Sequence, residues 1–165
     1  MRKTRVESKQ VVTQQQQSCV IYIRVYSKEQ QQEGFSLDAQ LKFLSDYARS
    51  KGMQVVHTYM DVESAKAAGR TEFGNLVEFL RQQQQLPSTT LRCQTVLVEK
   101  TDRFYRNVHD LVTVRDLGVE VHLVKEGVIM TPAARSHEKF VHGLNVLLAE
   151  RMVDNLAEET KKGML

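Results

Sequence analysis

Apolar residues fall in two rhythms along this chain. Cys19-Val20-Ile21-Tyr22-Ile23 is a short continuous apolar, β-rich run and predicts a first strand. Ser36 then offers an N-cap with Asp38 in the first turn, and Leu37, Leu41, Leu44 and Ala48 recur at helical spacing. Lys51-Gly52 closes that helix, with Gln40 at the margin of its apolar stripe. Residues 55–60 predict a second strand ending at Asp61, and residues 62–70 a mobile loop. Thr71 is placed to cap a second helix that turns Phe73, Leu76, Val77 and Leu80 inward. Residues 95–99 predict a third strand, residues 103–115 a short helix, and residues 118–124 a fourth strand. Val128-Ile129-Met130 is a candidate edge strand.

Pro132 precedes the last element, a long helix over about 135–162, with Phe140, Leu144, Leu147, Leu148, Met152 and Leu156 on its apolar face. At about 1.5 Å per residue it would span about 40 Å, enough either to cover one sheet face or to reach a partner or DNA. The order β-α-β-α-β-α-β followed by a helix predicts a three-layer α/β domain with a mostly parallel sheet of four to five strands. Residues 1–17, polar and basic and ending in a glutamine run, read as a flexible tail, 18–134 as the domain, and 135–165 as the long helix.

Composition narrows the function. A length of 165 residues with 41% hydrophobic content suits one domain with a core. No run of about 18 apolar residues occurs, so no membrane span is expected. The basic N-terminus lacks the apolar stretch of a secretory signal. Cys19 and Cys93 are the only cysteines, which points to a reducing cytosol and away from a zinc site. A formal charge of +3 permits nucleic-acid binding without requiring it.

The chemistry gathers just past the strand ends, where open α/β sheets place their ligands. Arg24, Val25, Tyr26 and Ser27 leave the first strand, Asp61 the second, and Lys100, Thr101, Asp102, Arg103, Phe104, Tyr105 and Arg106 the third. Arg70 lies on the loop after Asp61. Guanidinium forks suit phosphate oxygens, a hydroxyl from Tyr26 or Ser27 suits attack on a phosphodiester, and aspartates orient the forks or move protons. This set fits phosphoryl transfer without an obligatory metal. A metal-dependent nuclease is the rival, with Glu99, Asp102 and Asp61 as Mg²⁺ ligands, and the surrounding arginines weigh against it. No Gly-rich nucleotide loop is present.

In order and spacing, several segments resemble the catalytic domain of the serine recombinase (resolvase/invertase) family, and most closely its large phage and mobile-element members. They are Tyr22-Ile23-Arg24-Val25, Gln30, Gly34-Phe35-Ser36-Leu37-Asp38-Ala39-Gln40, Tyr59-Met60-Asp61, Gly69-Arg70, residues 100–107, and Leu156 to Gly163. The likeness spans about residues 19–163. It implies a resolvase-like fold and a DNA strand-exchange enzyme that cuts with a serine, holds each 5′ phosphate covalently, and rejoins the strands within a tetramer. On that resemblance Arg24, Arg70, Arg103 and Arg106 contact the scissile phosphate. Asp102 orients them or assists proton transfer, and Gln40, Asp61 and Lys100 support the site. Double-stranded DNA is the implied partner, with a homodimer or tetramer formed through residues 135–162. The resemblance implies no metal, nucleotide cofactor, small-molecule substrate or membrane.

One position departs from the family. The pattern Tyr-x-Arg-Val-Ser places the nucleophile where this chain has Tyr26, and Ser27 comes one residue later. Tyr26 is then the attacking group, or Ser27 takes its place through a bulge at the strand end, or the site binds DNA without cutting it. The chain also ends at Leu165, where the family's large members continue into DNA-binding domains.

Overall fold

The fold is described from a computed structural model, over residues 15–27, 36–64, 70–87, 89–132, 142–143 and 145–148. Strand β1 (Ser18–Tyr26) divides the core, because its side chains alternate between two apolar faces. Val20 and Tyr22 enter one cluster, and Cys19, Ile21, Ile23 and Val25 enter the other. Burial on both sides is the reason the strand reads as an unbroken apolar run rather than an alternating one.

Helix α1 (Leu37–Ser50) covers the second face with Leu44 and Ala48. Its N-cap is Ser36, whose hydroxyl accepts from the Ala39 N–H at 3.1 Å. Gly52, at φ +67°, takes the left-handed turn that follows. Strand β2 (Gln54–Glu63) pairs with β1 in parallel. Helix α2 (Thr71–Gln85) packs Phe73, Leu76, Val77 and Leu80 on the first face. Strand β3 (Thr95–Val98) is buried throughout. It leads into a 3₁₀ turn, Thr101–Arg103, and then helix α3 (Val108–Asp116), which adds Val114 to the same face as α2. Strands β4 (Glu120–Leu123) and β5 (Val128–Met130) complete the sheet.

The strand order is β2-β1-β3-β4-β5, with only β5 antiparallel. Helices on both faces make the expected three layers. From β1 the chain goes first to one side, as β2, and then to the other, as β3. The carboxyl ends of β1 and β3 therefore flank a topological switch point, the usual ligand crevice of such sheets.

Three expectations change. Val62 and Glu63 belong to β2 rather than to a loop, because they continue the parallel ladder opposite Val25 and Tyr26. The helix expected over 103–115 is split, since Asn107 starts a new cap and its side chain accepts from the Asp110 N–H at 2.9 Å. Gln17 is tied to the domain: its carbonyl accepts from the Gln54 N–H and its amide donates to the Thr95 hydroxyl, both at 2.8 Å. Residues 142–143 and 145–148 are helical. The rest of the long helix expected over 135–162 lies outside the described residues. No described helix is long and apolar enough to cross a membrane.

Leu44 is fully buried and is the main α1 contribution to its cluster. Leu44→Ala is expected to lower unfolding free energy by about 2–5 kcal/mol, read from urea denaturation.

Candidate active site

Arg24 is the last buried residue but one on β1, and it carries a charge into the edge of an apolar core. Its surroundings supply the counterpart. One guanidinium nitrogen lies 3.4 Å from Glu63 Oε1, and another donates to the Asp102 carbonyl. Glu63 is itself buried, and the same Oε1 lies 3.7 Å from Arg106 Nε. One carboxylate thus joins an arginine from β1 to an arginine that follows β3.

Tyr26, two residues along the same face of β1, lies over this group. Its ring centroid is 5.8 Å from the Arg24 guanidinium carbon and 5.3 Å from that of Arg103, within cation–π range. The ladder is regular where this matters. Arg24 pairs with Asp61, Val25 with Val62 and Tyr26 with Glu63, and the one register shift falls at Cys19/Val20, at the far end of the strand. The bulge that would bring Ser27 into the place of Tyr26 is therefore absent from the end of β1. Ser27 is exposed and extends the ladder through its N–H to the Glu63 carbonyl at 2.8 Å.

Arg70 stands at the start of α2, and four groups hold it. Its guanidinium pairs with Asp110, donates to the Phe104 carbonyl, lies 3.4 Å from the Tyr22 hydroxyl, and stacks 4.0 Å from the Phe73 ring centroid. Asp110 also accepts from the Arg106 N–H at 2.8 Å, which links the backbone after β3 to Arg70.

Asp61 has a specific task. Its carboxylate accepts from the Glu72 and Phe73 N–H groups at 3.0 Å each and from the Tyr22 hydroxyl at 2.7 Å. It caps α2 from a neighbouring strand, where an anion is favoured by the helix dipole. Thr71, expected to be the cap, is instead the first helical residue, and Arg70 at the cap position makes no side-chain cap bond. Asp61 therefore places Arg70 rather than facing a substrate. Burial pushes the Tyr22 phenol well above its ordinary value, with the Arg70 charge opposing in part, so Tyr22 is a structural donor.

Lys100 and Asp102 lie 4.0 Å apart on the rim, both reaching solvent. Gln40 is buried in the first turn of α1, on the opposite side of the sheet from Tyr22, and its Oε1 has no partner among the described residues. The rival metal set does not converge. Glu99 bonds Lys125 Nζ at 2.8 Å, Asp61 caps α2, and Asp102 faces Lys100. Among the described residues no group of three His, Cys, Asp or Glu is arranged to hold a metal ion.

Two carboxylates central to the cluster were not singled out from sequence. Glu63 was hidden by ending β2 two residues early; period-two alternation from Asp61 would have found it. Asp110 sits three residues after the cap Asn107, a capping spacing that carries a recognisable signal.

Residues 19–165 match the family described as Resolvase, N terminal domain, and the chain belongs to that family. A resolvase family site-specific recombinase from Streptococcus pneumoniae is similar in structure, with TM-score 0.60 and 25% identity over 90% of this chain and 96% of that one. The N-terminal catalytic domain of TP901-1 integrase gives TM-score 0.57 and 24% identity, over 88% of this chain and 99% of that one. The C-terminal catalytic domain of ISC1926 TnpA, an IS607-like serine recombinase, gives TM-score 0.51 and 19% identity over 87% and 99%. These two support the fold alone. No curated protein matches the chain.

Asp61→Ala should cost about 2–4 kcal/mol of stability, because it strands two helix N–H groups and a buried phenol; urea denaturation measures it. Tyr22 is one of the buried groups, with Tyr105 and Cys19, through which alkaline pH should act. Its folded value is raised above the unfolded value of 10.0, so the unfolded chain loses this proton first. Its contribution is complete below pH about 10 and is lost as pH rises beyond that, giving a falling urea midpoint that Tyr22→Phe reduces.

Proposed function

We propose that this chain is the strand-exchange domain of a site-specific DNA recombinase of the serine type, with cleavage impaired by Tyr26. Arg24, Arg70, Arg103 and Arg106 grip the scissile phosphodiester of double-stranded DNA. In the family's reaction a serine oxygen attacks phosphorus, the 3′ oxygen leaves with a proton, and a 5′ phosphoserine holds the strand until the reverse attack rejoins it. Guanidinium donors stabilise the charge that builds on the phosphoryl oxygens. Asp102 and Lys100 contribute from the rim, and Asp61 and Gln40 support the site from behind. Self-association through residues 135–162 would bring two such sites to one duplex.

The observation that carries this reading is the Tyr26 ring against Arg24 and Arg103. The side chain at the nucleophile position lies among the arginines, so the phosphate-directed group and the attacking position share one site. A phenol oxygen stands several bonds farther from the backbone than a serine oxygen. The ring therefore fills space that the phosphate needs beside the guanidinium groups.

The test is covalent capture on supercoiled DNA carrying candidate sites. The unaltered chain should give little or no protein–DNA adduct, and Tyr26→Ser should give at least about tenfold more. EDTA should not change the yield. An adduct from the unaltered chain that disappears in Tyr26→Phe would make Tyr26 the nucleophile and end the impaired reading. Disappearance in Ser27→Ala instead would give that role to Ser27.

A further inference from the structure

Glu63 stands out because the phosphate chemistry has no use for it. A buried carboxylate within reach of two guanidinium groups proposed to hold phosphate opposes the ligand. Glu63 is 6% exposed, and its Oε1 is shared by Arg24 and Arg106 at 3.4 and 3.7 Å. These separations are longer than the roughly 2.7–2.9 Å of a tight charge-assisted hydrogen bond, so the carboxylate is shared between the two groups without locking either. Among the described residues these two guanidinium groups are the polar partners of its carboxylate. Asp110 differs: it accepts from the Arg106 backbone N–H as well as pairing with Arg70, and so builds the loop. Displacing Asp110 would break the loop it builds, whereas displacing Glu63 would break two loose pairs and leave Arg24 a need for counter-charge that an incoming phosphate supplies. Its place in the sheet is also telling, since it is the ladder partner of Tyr26, the residue that lies over the same guanidinium cluster.

Resting on the phosphate-site reading above, we infer that Glu63 is a resident counter-ion that occupies the phosphate position between Arg24 and Arg106. DNA enters by displacing it. An incoming phosphodiester oxygen takes the place of Oε1, and the Glu63 side chain turns outward at the strand end. The carboxylate balances the charge of a buried arginine when no DNA is bound, and it lowers the affinity of the empty site for any phosphate.

The experiment compares the full chain with Glu63→Gln, which keeps the shape and removes the charge, and with Glu63→Asp, which keeps the charge. The probe is a short fluorescein-labelled duplex of arbitrary sequence, followed by anisotropy from about 50 to about 200 mM salt, with thermal melting to verify folding. Glu63→Gln should bind about five- to tenfold more tightly at the lowest salt, with a steeper salt dependence, while Glu63→Asp stays near the unaltered chain. Equal or weaker binding by a folded Glu63→Gln overturns the inference. Arg103→Ala separates the two readings. If it binds the duplex as well as the unaltered chain, the phosphate site itself is wrong; if it binds more weakly while Glu63→Gln is unchanged, only the role of Glu63 is lost. A crystal of the unaltered chain with inorganic phosphate needs no variant. Phosphate between Arg24 and Arg106 with Glu63 turned away supports the inference, and phosphate there with Glu63 still paired to Arg24 overturns it.

Discussion

A guanidinium buried at the end of an apolar strand is the constraint around which this domain is arranged. Arg24 cannot leave water without a counter-charge and acceptors, because an unpaired buried ion is costly. Those partners come from two other chain segments, Glu63 at the end of β2 and the Asp102 carbonyl in the turn after β3. Satisfying one arginine therefore brings three strand ends to one point. Glu63 passes the connection to Arg106, and Asp110 passes it on to Arg70. The cluster is a consequence of compensating buried charge.

Most of the fold was legible because its signals were local. The unbroken apolar run at Cys19–Ile23 and the spacing of Leu44 and Ala48 each bury a face where expected. Caps were less legible. Ser36 acts on its own helix and was recognisable, but Asp61 caps α2 from a strand ten residues earlier, and no local pattern encodes that. The cations of the site were visible as charge after strands. Their carboxylate partners were not, because Glu63 and Asp110 gain their meaning only from which strand ends are neighbours. The split of the helix expected from residue 103 has a similar origin, since Glu126, far along the chain, accepts from both the N–H and the hydroxyl of Thr101 and fixes the 3₁₀ turn.

At the end of β1 the departure from the family pattern is one of side-chain length rather than of register. A regular ladder through Tyr26 leaves that residue on the same strand face as Arg24. The backbone is regular there, and the departure from the family pattern lies in one side chain. The phenol there makes a favourable cation–π contact with Arg24 and Arg103 that helps hold the cluster together.

Asp61 has an effect beyond stability. By fixing the N-terminus of α2 to β2, it sets where Arg70 begins regardless of how the chain travels from Ser64 to Arg70. The ladder holds one end of that connection, through Glu63, and Asp110 with the Phe104 carbonyl holds the other. The guanidinium is thus delivered by two anchors fixed outside its own helix, Asp61 on β2 for the helix start and Asp110 on α3 for the charge.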